Sequence, residues 1–218
     1  MIVIAIDGPA AAGKGTLARR LAKHLNLAYL DTGLLYRAVG WKTLAAGGDP
    51  ADAGAAVAAA RALAAADLGD PALRGDEAAN AASKVAAIPA VRAELLKFQR
   101  KFARNPPAGP AGLVKGAVID GRDIGTVVCP DATAKLFITA NLEARVRRRL
   151  KELHERGHAA IYARVFEDMS ARDARDRNRA VAPLEPAKDA LVLDTSNLDP
   201  DAVFARVLAF IASRTSSP

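Results

Sequence analysis

The feature that most constrains this chain is a glycine-rich loop, GPAAAGKGT at residues 8–16, which follows an apolar run at residues 2–6. Gly8 and Gly13 let the backbone turn tightly and bring its N–H groups toward an anion. A helix that begins near Lys14 adds its positive end, and the lysine adds a full charge. The apolar residues of that helix share one face: Leu17, Ala18, Leu21, Ala22 and Leu25. The sequence therefore predicts a phosphate-binding loop between a buried strand and a helix, suited to a nucleoside triphosphate.

The spacing separates this loop from the glycine-rich loop of dinucleotide-binding folds. That loop needs Gly-x-Gly-x-x-Gly, which is absent here, and it has no use for a lysine. One departure from common phosphate loops concerns magnesium, because Gly15 stands where Ser or Thr usually follows the lysine, and Thr16 comes one place later. Direct binding of Mg²⁺ by a hydroxyl group thus stays open, and the sequence assigns no metal ligand. The residues expected to contact the donor nucleotide are Gly8, Pro9, Ala10, Ala11, Ala12, Gly13, Lys14, Gly15 and Thr16.

Composition limits the class of protein. Apolar residues make up 51% of the 218 positions, enough to bury the core of one globular unit. The apolar runs are shorter than the 18 or more residues that a bilayer span requires. Because Met1 leads straight into the first predicted strand, we expect no secretion signal. Cys129 is the single cysteine, which excludes an internal disulfide, and the histidines have no ligand-like spacing with it. We expect a cytoplasmic monomer with neither membrane contact nor structural zinc.

The charge of the chain is basic, with 31 Lys and Arg against 24 Asp and Glu and a net charge of +7. Such an excess suits nucleic acid as well as smaller phosphates. Aromatic residues make up only 5% of the chain and do not interleave with a basic stripe, as single-strand binders require. A nucleotide-binding protein without a nucleic-acid partner is the better interpretation.

Strand-like and helix-like segments alternate along the chain. Further apolar runs end in polar residues, at residues 27–30, 117–119, 134–138 and 190–193. Helical patterns lie between them, including residues 142–155, with Gly157 as a stop, and residues 201–213. This alternation predicts an α/β protein with a three-layer P-loop fold, whose helices cover a central five-stranded parallel sheet. Ligands bind beyond the carboxyl ends of such strands, where the loop, Asp31 and Asp120 would converge.

Two regions fall outside this alternation. Residues 39–110 are mostly Ala-rich helix, interrupted near Pro71 and Pro89, and we interpret them as a substrate-holding insertion. Residues 157–182 are strongly charged and helical by composition, and we interpret them as a lid. The core is then formed by residues 1–38, which carry the phosphate loop, by residues 111–156 and by residues 183–218.

Charged residues follow the second and third predicted strands. Arg37 would emerge near the phosphate loop, so a contact with an acceptor phosphate is favoured over simple exposure. Asp120 stands where P-loop enzymes place magnesium, directly or through water, and Arg122 is positioned to grip a second phosphate. Whether Asp31 does more than orient the site stays open.

A second group of charges lies in the predicted lid. Arg172 and Asp176 have the spacing of an exposed helical ion pair, worth about 0.3 to 0.5 kcal/mol. That alternative explains some of the charges only, because Arg172, Asp176 and Arg179 share a face. A lid that swings this face over the site would bring guanidinium groups to a transferring phosphoryl group.

Five motifs, in order and over nearly the whole chain, resemble those of bacterial cytidylate kinases, the CMP/dCMP kinases among P-loop nucleoside monophosphate (NMP) kinases. They are GPAAAGKGT, DTGLLYRA, NAASKVA with its following VR, DGRDIGTVV and RDARDRNRAVAPL. The last two together resemble this family far more than adenylate, shikimate or dephospho-coenzyme A kinases. The resemblance implies transfer of the γ-phosphoryl group of ATP to CMP or dCMP, with Mg²⁺ as cofactor, in pyrimidine nucleotide metabolism. The insertion would then be the NMP-binding segment.

The resemblance also implies roles for individual residues. Lys14 and the loop would hold ATP, Asp176 would bind the sugar hydroxyls, and Arg179 would stabilise the transition state. Cytosine would be read by Ser83, Arg92 and Asp123, two of which would otherwise be interpreted as an exposed helix serine and a solvated arginine. The implied catalytic residues are Lys14, Arg122, Arg172 and Arg179, and the implied substrate-binding residues are Thr32, Tyr36, Arg37, Ser83, Arg92, Asp120, Arg122, Asp123, Arg172 and Asp176.

One segment departs from the family pattern. Long bacterial cytidylate kinases carry a small antiparallel sheet in the NMP-binding segment, whereas this chain has only residues 68–76 there, so we expect the sheet to be missing or much reduced. Two alternative functions stay open. The first is a broader kinase that accepts UMP as readily as CMP, and the second is a P-loop regulator or nucleic-acid-stimulated ATPase.

Overall fold

The structure is a computed structural model that describes residues 1–109 and 112–215. Within these residues five parallel strands form one sheet, in the order β2-β3-β1-β4-β5. The strands are β1 (Ile2–Asp7), β2 (Ala28–Asp31), β3 (Gly116–Asp120), β4 (Ala134–Thr139) and β5 (Leu191–Asp194). Each differs from its predicted bounds by one residue or so at either end. The predicted α/β fold with a central five-stranded parallel sheet is confirmed.

Helices cover both faces of the sheet. The helices of the described chain are α1 (Lys14–Leu25), α2 (Thr32–Ala45), α3 (Ala53–Arg61), α4 (Asp76–Val85), α5 (Pro89–Arg104), α6 (Leu142–Glu155), α7 (Tyr162–Arg177) and α8 (Pro200–Thr215). On one face α1 and α8 pack against β1 and β4, with Leu21 and Val207 at the centre. On the other face α5 packs against β3 together with a short π-helical turn, Ile124–Val128. The apolar runs read from the sequence therefore form the middle layer.

Parallel register brings the strand ends to a common edge. Ile6 is paired with Asp120, and Asp120 is paired with Asp31 on the other side of β3. The phosphate loop leaves β1 at the same edge, directly after Asp7. The predicted convergence of the loop with Asp31 and Asp120 is confirmed.

The predicted insertion folds as a helical unit with its own core, in which Val39, Val85 and Val91 are fully buried. Its predicted start at residue 39 lies inside α2, which runs on without a break. Its predicted end at residues 110 and 111 lies outside the described residues, as do residues 216–218. Between α3 and α4 the described residues form two short 3₁₀ helices, Ala65–Gly69 and Pro71–Arg74, and no strand. The missing small sheet is thereby confirmed.

Two antiparallel helices follow β4. The α6 helix has the predicted bounds, and Gly157 lies beyond it with a φ of +79°. The α7 helix lies inside the predicted lid and packs on α6 through Val146, Leu153, Val165 and Met169. Among the described residues, no helix is long and apolar enough to cross a membrane.

Candidate active site

The phosphate loop is held in a shape that requires its glycines. Gly8 has a φ of +141°, and a Cβ atom there would lie 1.9 Å from the Ile138 carbonyl oxygen. Gly13 has a φ of +94° and caps α1. Lys14 is buried and its Nζ donates to the Pro9 carbonyl across the loop, at 2.7 Å. Burial lowers the pKa of Lys14, and the nearby Arg122 lowers it further. The loop thus places a cation at the amino end of α1, as predicted.

Two carboxylates stand at the strand ends beside the loop. Asp31 caps α2 by accepting from the Leu34 N–H at 3.1 Å. Asp120 is buried, and within the described chain its Oδ1 has no hydrogen-bond partner. Burial and the proximity of Asp31 raise the pKa of Asp120 to about 7, against the opposing effect of Lys14. The Asp120 carbonyl accepts from the Thr32 hydroxyl at 2.7 Å, which fixes this corner of the cleft.

The arginines predicted from the sequence line the same cleft as the phosphate loop and the two carboxylates. The cleft has a volume of about 650 Å³ and includes Lys14, Arg37, Arg122 and Arg172 in its wall. Among the described residues, the Nε atoms of Arg37 and Arg172 are buried and without hydrogen-bond partners. Burial, together with the proximity of Arg122, lowers the pKa of Arg172 to about 9. Half-buried cations whose Nε donors are buried without partners, close enough to repel one another, are arranged to receive a polyanion.

The α7 helix reaches the site through Asp176. This carboxylate accepts from Arg122 Nε at 3.0 Å and from the Ser83 hydroxyl at 3.3 Å. Arg179 Nη2 lies 3.4 Å from Asp176 Oδ1, although this contact lacks hydrogen-bond geometry. Burial alone would raise the pKa of Asp176, but Arg122, Arg172 and Arg179 lower it below its usual value. Residues from α4, from the loop after β3 and from α7 therefore meet at one carboxylate.

The residues implied to read cytosine lie together behind Asp176. Arg92 forms an ion pair with Asp123 and lies 5.6 Å from the centre of the Tyr36 ring. Ser83 is 3% exposed and Arg92 is 7% exposed, so the alternative of surface positions is wrong for both. These side chains surround a cavity of about 40 Å³ whose wall also includes Asp176 and Arg179.

Several neighbours of the site were missed from the sequence. Arg175 donates to the Ser83 hydroxyl at 3.2 Å and to Asn80 at 2.7 Å, and so ties α7 to α4. Arg149 of α6 pairs with Asp76 at the start of α4. In an arginine-rich helix nothing in the sequence distinguishes such a residue from its exposed neighbours, because each partner is more than seventy positions away.

A model of one protein family, described as cytidylate kinase, matches residues 4–213. The chain belongs to the cytidylate kinase family. It is 65% identical to a cytidylate kinase of Paramagnetospirillum magneticum over 97% of this chain and 98% of that protein. It is 56% identical to one of Rhodospirillum rubrum over 98% of this chain and 99% of that protein. The resemblance read from the five motifs is confirmed.

A solved structure supports the fold of this cytidylate kinase family member. The crystal structure of an uncharacterized protein from Eubacterium ventriosum superposes with a TM-score of 0.55 at 16% sequence identity. The match covers 98% of this chain and 99% of that one. At this identity the likeness concerns the fold alone.

Proposed function

We propose that this protein transfers the γ-phosphoryl group of ATP to CMP or dCMP, giving ADP with CDP or dCDP. The observation that carries the proposal is the set of buried, spare guanidinium donors of Arg37 and Arg172 in the same cleft as Lys14. Two phosphate-bearing substrates must meet there, and their repulsion explains why so many cations line one cleft. Membership of the cytidylate kinase family supports the identity of the acceptor.

On the donor side, the backbone of the phosphate loop and Lys14 would hold the phosphates of ATP. Mg²⁺ fits this side, because Asp120 and Thr16 both line the cleft and a carboxylate is a hard oxygen ligand. Within the described chain the Asp120 Oδ1 has no hydrogen-bond partner. Bound there, Mg²⁺ would supply positive charge that neutralises the donor phosphates. Asp120 and Thr16 are the residues we propose to hold it, directly or through water.

On the acceptor side, Arg37, Arg122 and Arg172 would bind the phosphate of CMP. Asp176 would accept hydrogen bonds from the sugar hydroxyls. The positions of these residues support the roles, because Arg122 and Asp176 are already in contact and Arg172 lies one helical turn before Asp176. The phosphate of CMP would thereby face the loop and its base would face the insertion.

Recognition of the base would fall to Asp123, Arg92 and Ser83. A carboxylate accepts from the exocyclic amine of cytosine, whereas a guanidinium donates to ring acceptors. Uracil carries a carbonyl where cytosine carries the amine, so it would place an acceptor against Asp123. The ion pair between Arg92 and Asp123 orients both groups.

The transfer step needs no covalent intermediate with the protein. The attacking oxygen of CMP and the γ-phosphorus would be held in line by the two sets of phosphate contacts, and negative charge on the transferring group would be balanced by Lys14 and Arg179. Closure of α7 over the cleft would exclude water, which would otherwise hydrolyse ATP. All of these residues belong to one chain, and we propose a monomer that acts without nucleic acid.

The test is ADP production from Mg·ATP with CMP, dCMP, UMP, AMP or GMP supplied separately, with no acceptor as the control. We expect strong turnover with CMP and dCMP. Equal turnover with UMP would remove the roles proposed for Asp123, Arg92 and Ser83 while leaving a kinase. If no monophosphate raised ADP release above the control, the acceptor site would be refuted, and polymer-stimulated ATPase activity with a steep salt dependence would be measured next.

A further inference from the structure

Asp7 is a buried carboxylate that the proposed mechanism does not use. It is the last residue of β1, directly before the phosphate loop, and is 3% exposed. Its Oδ1 accepts from the Ile124 N–H at 2.7 Å and its Oδ2 from the Gly125 N–H at 2.7 Å. Both donors belong to the turn that follows Asp123, more than a hundred residues along the chain. Asp7 therefore joins the donor side of the site to the loop that carries the base-reading carboxylate.

The turn lacks a cap of its own. Residues Ile124–Val128 form a single π-helical turn, and Asp123 stands at its N-cap position without a side-chain cap hydrogen bond. An Asp in that position usually accepts from the first N–H groups of the helix. Here the Asp123 carboxylate is engaged with Arg92. The N–H groups would be buried without a partner if no second acceptor reached them, and Asp7 supplies both oxygens.

We infer that Asp7 is a positioning residue that caps this turn in place of Asp123 and so leaves the Asp123 carboxylate free to pair with Arg92 and to select cytosine. The inference rests on the proposed function. Asp7 acts through Asp123, and the placement of Asp123 is the property it controls. A residue from the strand before the phosphate loop thus contributes to acceptor selectivity.

In the described chain, the side-chain hydrogen bonds of Asp7 are made with the turn that follows Asp123 and not with the phosphate loop. Lys14 donates to the Pro9 carbonyl, and in the described chain its Nζ makes no hydrogen bond with Asp7. Lys14 and Asp123 are charged groups close enough to act on the Asp7 carboxylate, and the aliphatic part of Lys135 lies beside Gly125. Burial raises the pKa of Asp7 to about 6, so the carboxylate is ionised and a double acceptor at the neutral pH of a kinase assay. The close approach also explains Gly125, where a Cβ atom would lie 3.3 Å from Asp7 Oδ2.

The test is Asp7→Asn, which keeps the volume of the side chain but turns one acceptor into a donor that faces an N–H. We expect the CMP over UMP preference, as a ratio of kcat/KM values, to fall about 10-fold, because a charged hydrogen bond is lost and the turn shifts. The KM for ATP should change less than about twofold. The exposed Asp131 gives a matched control, and Asp131→Asn should leave both quantities unchanged. Because an Asn–Gly sequence deamidates, the intact mass of the variant is measured beside its activity.

A second substitution tests whether Asp7 acts through Asp123. In an Asp123→Asn background, Asp7→Asn should lower the CMP preference no further. Equal losses of kcat/KM for CMP and UMP, or a KM for ATP that rises as much as that for CMP, would overturn the inference. If Asp7→Asn fails to fold, Gly125→Ala is the second variant, because its added Cβ atom displaces the same turn and leaves the Asp7 carboxylate intact. An unchanged CMP preference in Gly125→Ala would also overturn the inference. Wild-type protein that did not phosphorylate CMP would refute the proposed function instead.

Discussion

An ion pair between Arg145 of α6 and Asp173 of α7 is predicted to govern lid closure. The two residues are 2% and 5% exposed, and Arg145 donates to Asp173 at 3.1 and 2.5 Å. The same guanidinium donates to the Ala10 carbonyl in the phosphate loop at 3.3 Å. Arg145 therefore connects the proposed lid directly with the loop that would hold ATP. The informative perturbation is Asp173→Asn, which keeps the size of the side chain and removes its charge.

The magnitude follows from burial. A buried ion pair that loses one charge costs about 3 to 5 kcal/mol while the other charge stays buried. If α7 swings away from α6, Arg145 becomes solvated and this cost disappears. The variant should therefore lose closure of the lid, and kcat/KM for both substrates should fall by about 100-fold or more, which corresponds to the lower end of that range. Asp173→Asn should lower the unfolding free energy by no more than lid closure contributes to the stability of the protein without substrate.

The assay combines steady-state kinetics with urea unfolding. Glu167→Gln is the matched control, because it removes a charge from an exposed position of the same helix. It should change both quantities little. A 3 to 5 kcal/mol drop in unfolding free energy for Asp173→Asn, with kcat/KM within about threefold of wild type, would refute the reasoning, since the pair would then hold the fold and have no special role in closure.

Three further predictions test other parts of the site. Burial and nearby Asp31 raise the Asp120 pKa to about 7, so the native state binds more protons than the unfolded state between about pH 4 and 7. The contribution of Asp120 to the unfolding free energy therefore falls as pH rises through that window, by at most about 4 kcal/mol. Asp120→Asn should flatten the curve, which urea unfolding at pH 4.5 to 7.5 would reveal, and parallel curves would contradict the assignment. Gly40→Ala should raise KM for CMP and leave KM for ATP unchanged in steady-state kinetics, because its Cβ would lie 2.7 Å from the Ala81 Cβ and separate α2 from α4; a larger effect on ATP would point elsewhere. Arg179→Ala should lower kcat more than it raises either KM, and a loss confined to KM would exclude a role in the transition state.

The sequence reveals those parts of the fold whose signals are local. The buried strands are continuous apolar runs, and Gly8 and Gly13 mark the loop because its turns need their freedom. The burial of Ser83 could not be predicted in this way, since it depends on α7 packing over α4. Pairs such as Asp7 with the turn after Asp123 join residues that are distant in sequence, and one chain alone carries no sign of which charges meet. Ser83 and Arg92 are predicted as site residues by the family resemblance alone.

The two halves of the site differ in a way that bears on how the substrates enter. The cleft on the proposed donor side holds about 650 Å³, whereas the cavity among the side chains proposed to read the base holds about 40 Å³. Pockets for small molecules hold about 300 Å³ or more, so we expect a nucleoside to fit only after α7 has moved away from α4. That movement breaks the contacts of Asp176 with Ser83 and of Arg175 with Asn80, which bridge the two helices.

Because the contacts broken on entry belong to the groups that would hold CMP, substrate binding replaces much of what it disrupts. The mutual repulsion of Lys14, Arg122 and Arg172 is relieved by the incoming phosphates as well. We therefore expect closure of the proposed lid to be favoured most strongly when both polyanions are in place, which is the condition under which exclusion of water protects ATP from hydrolysis.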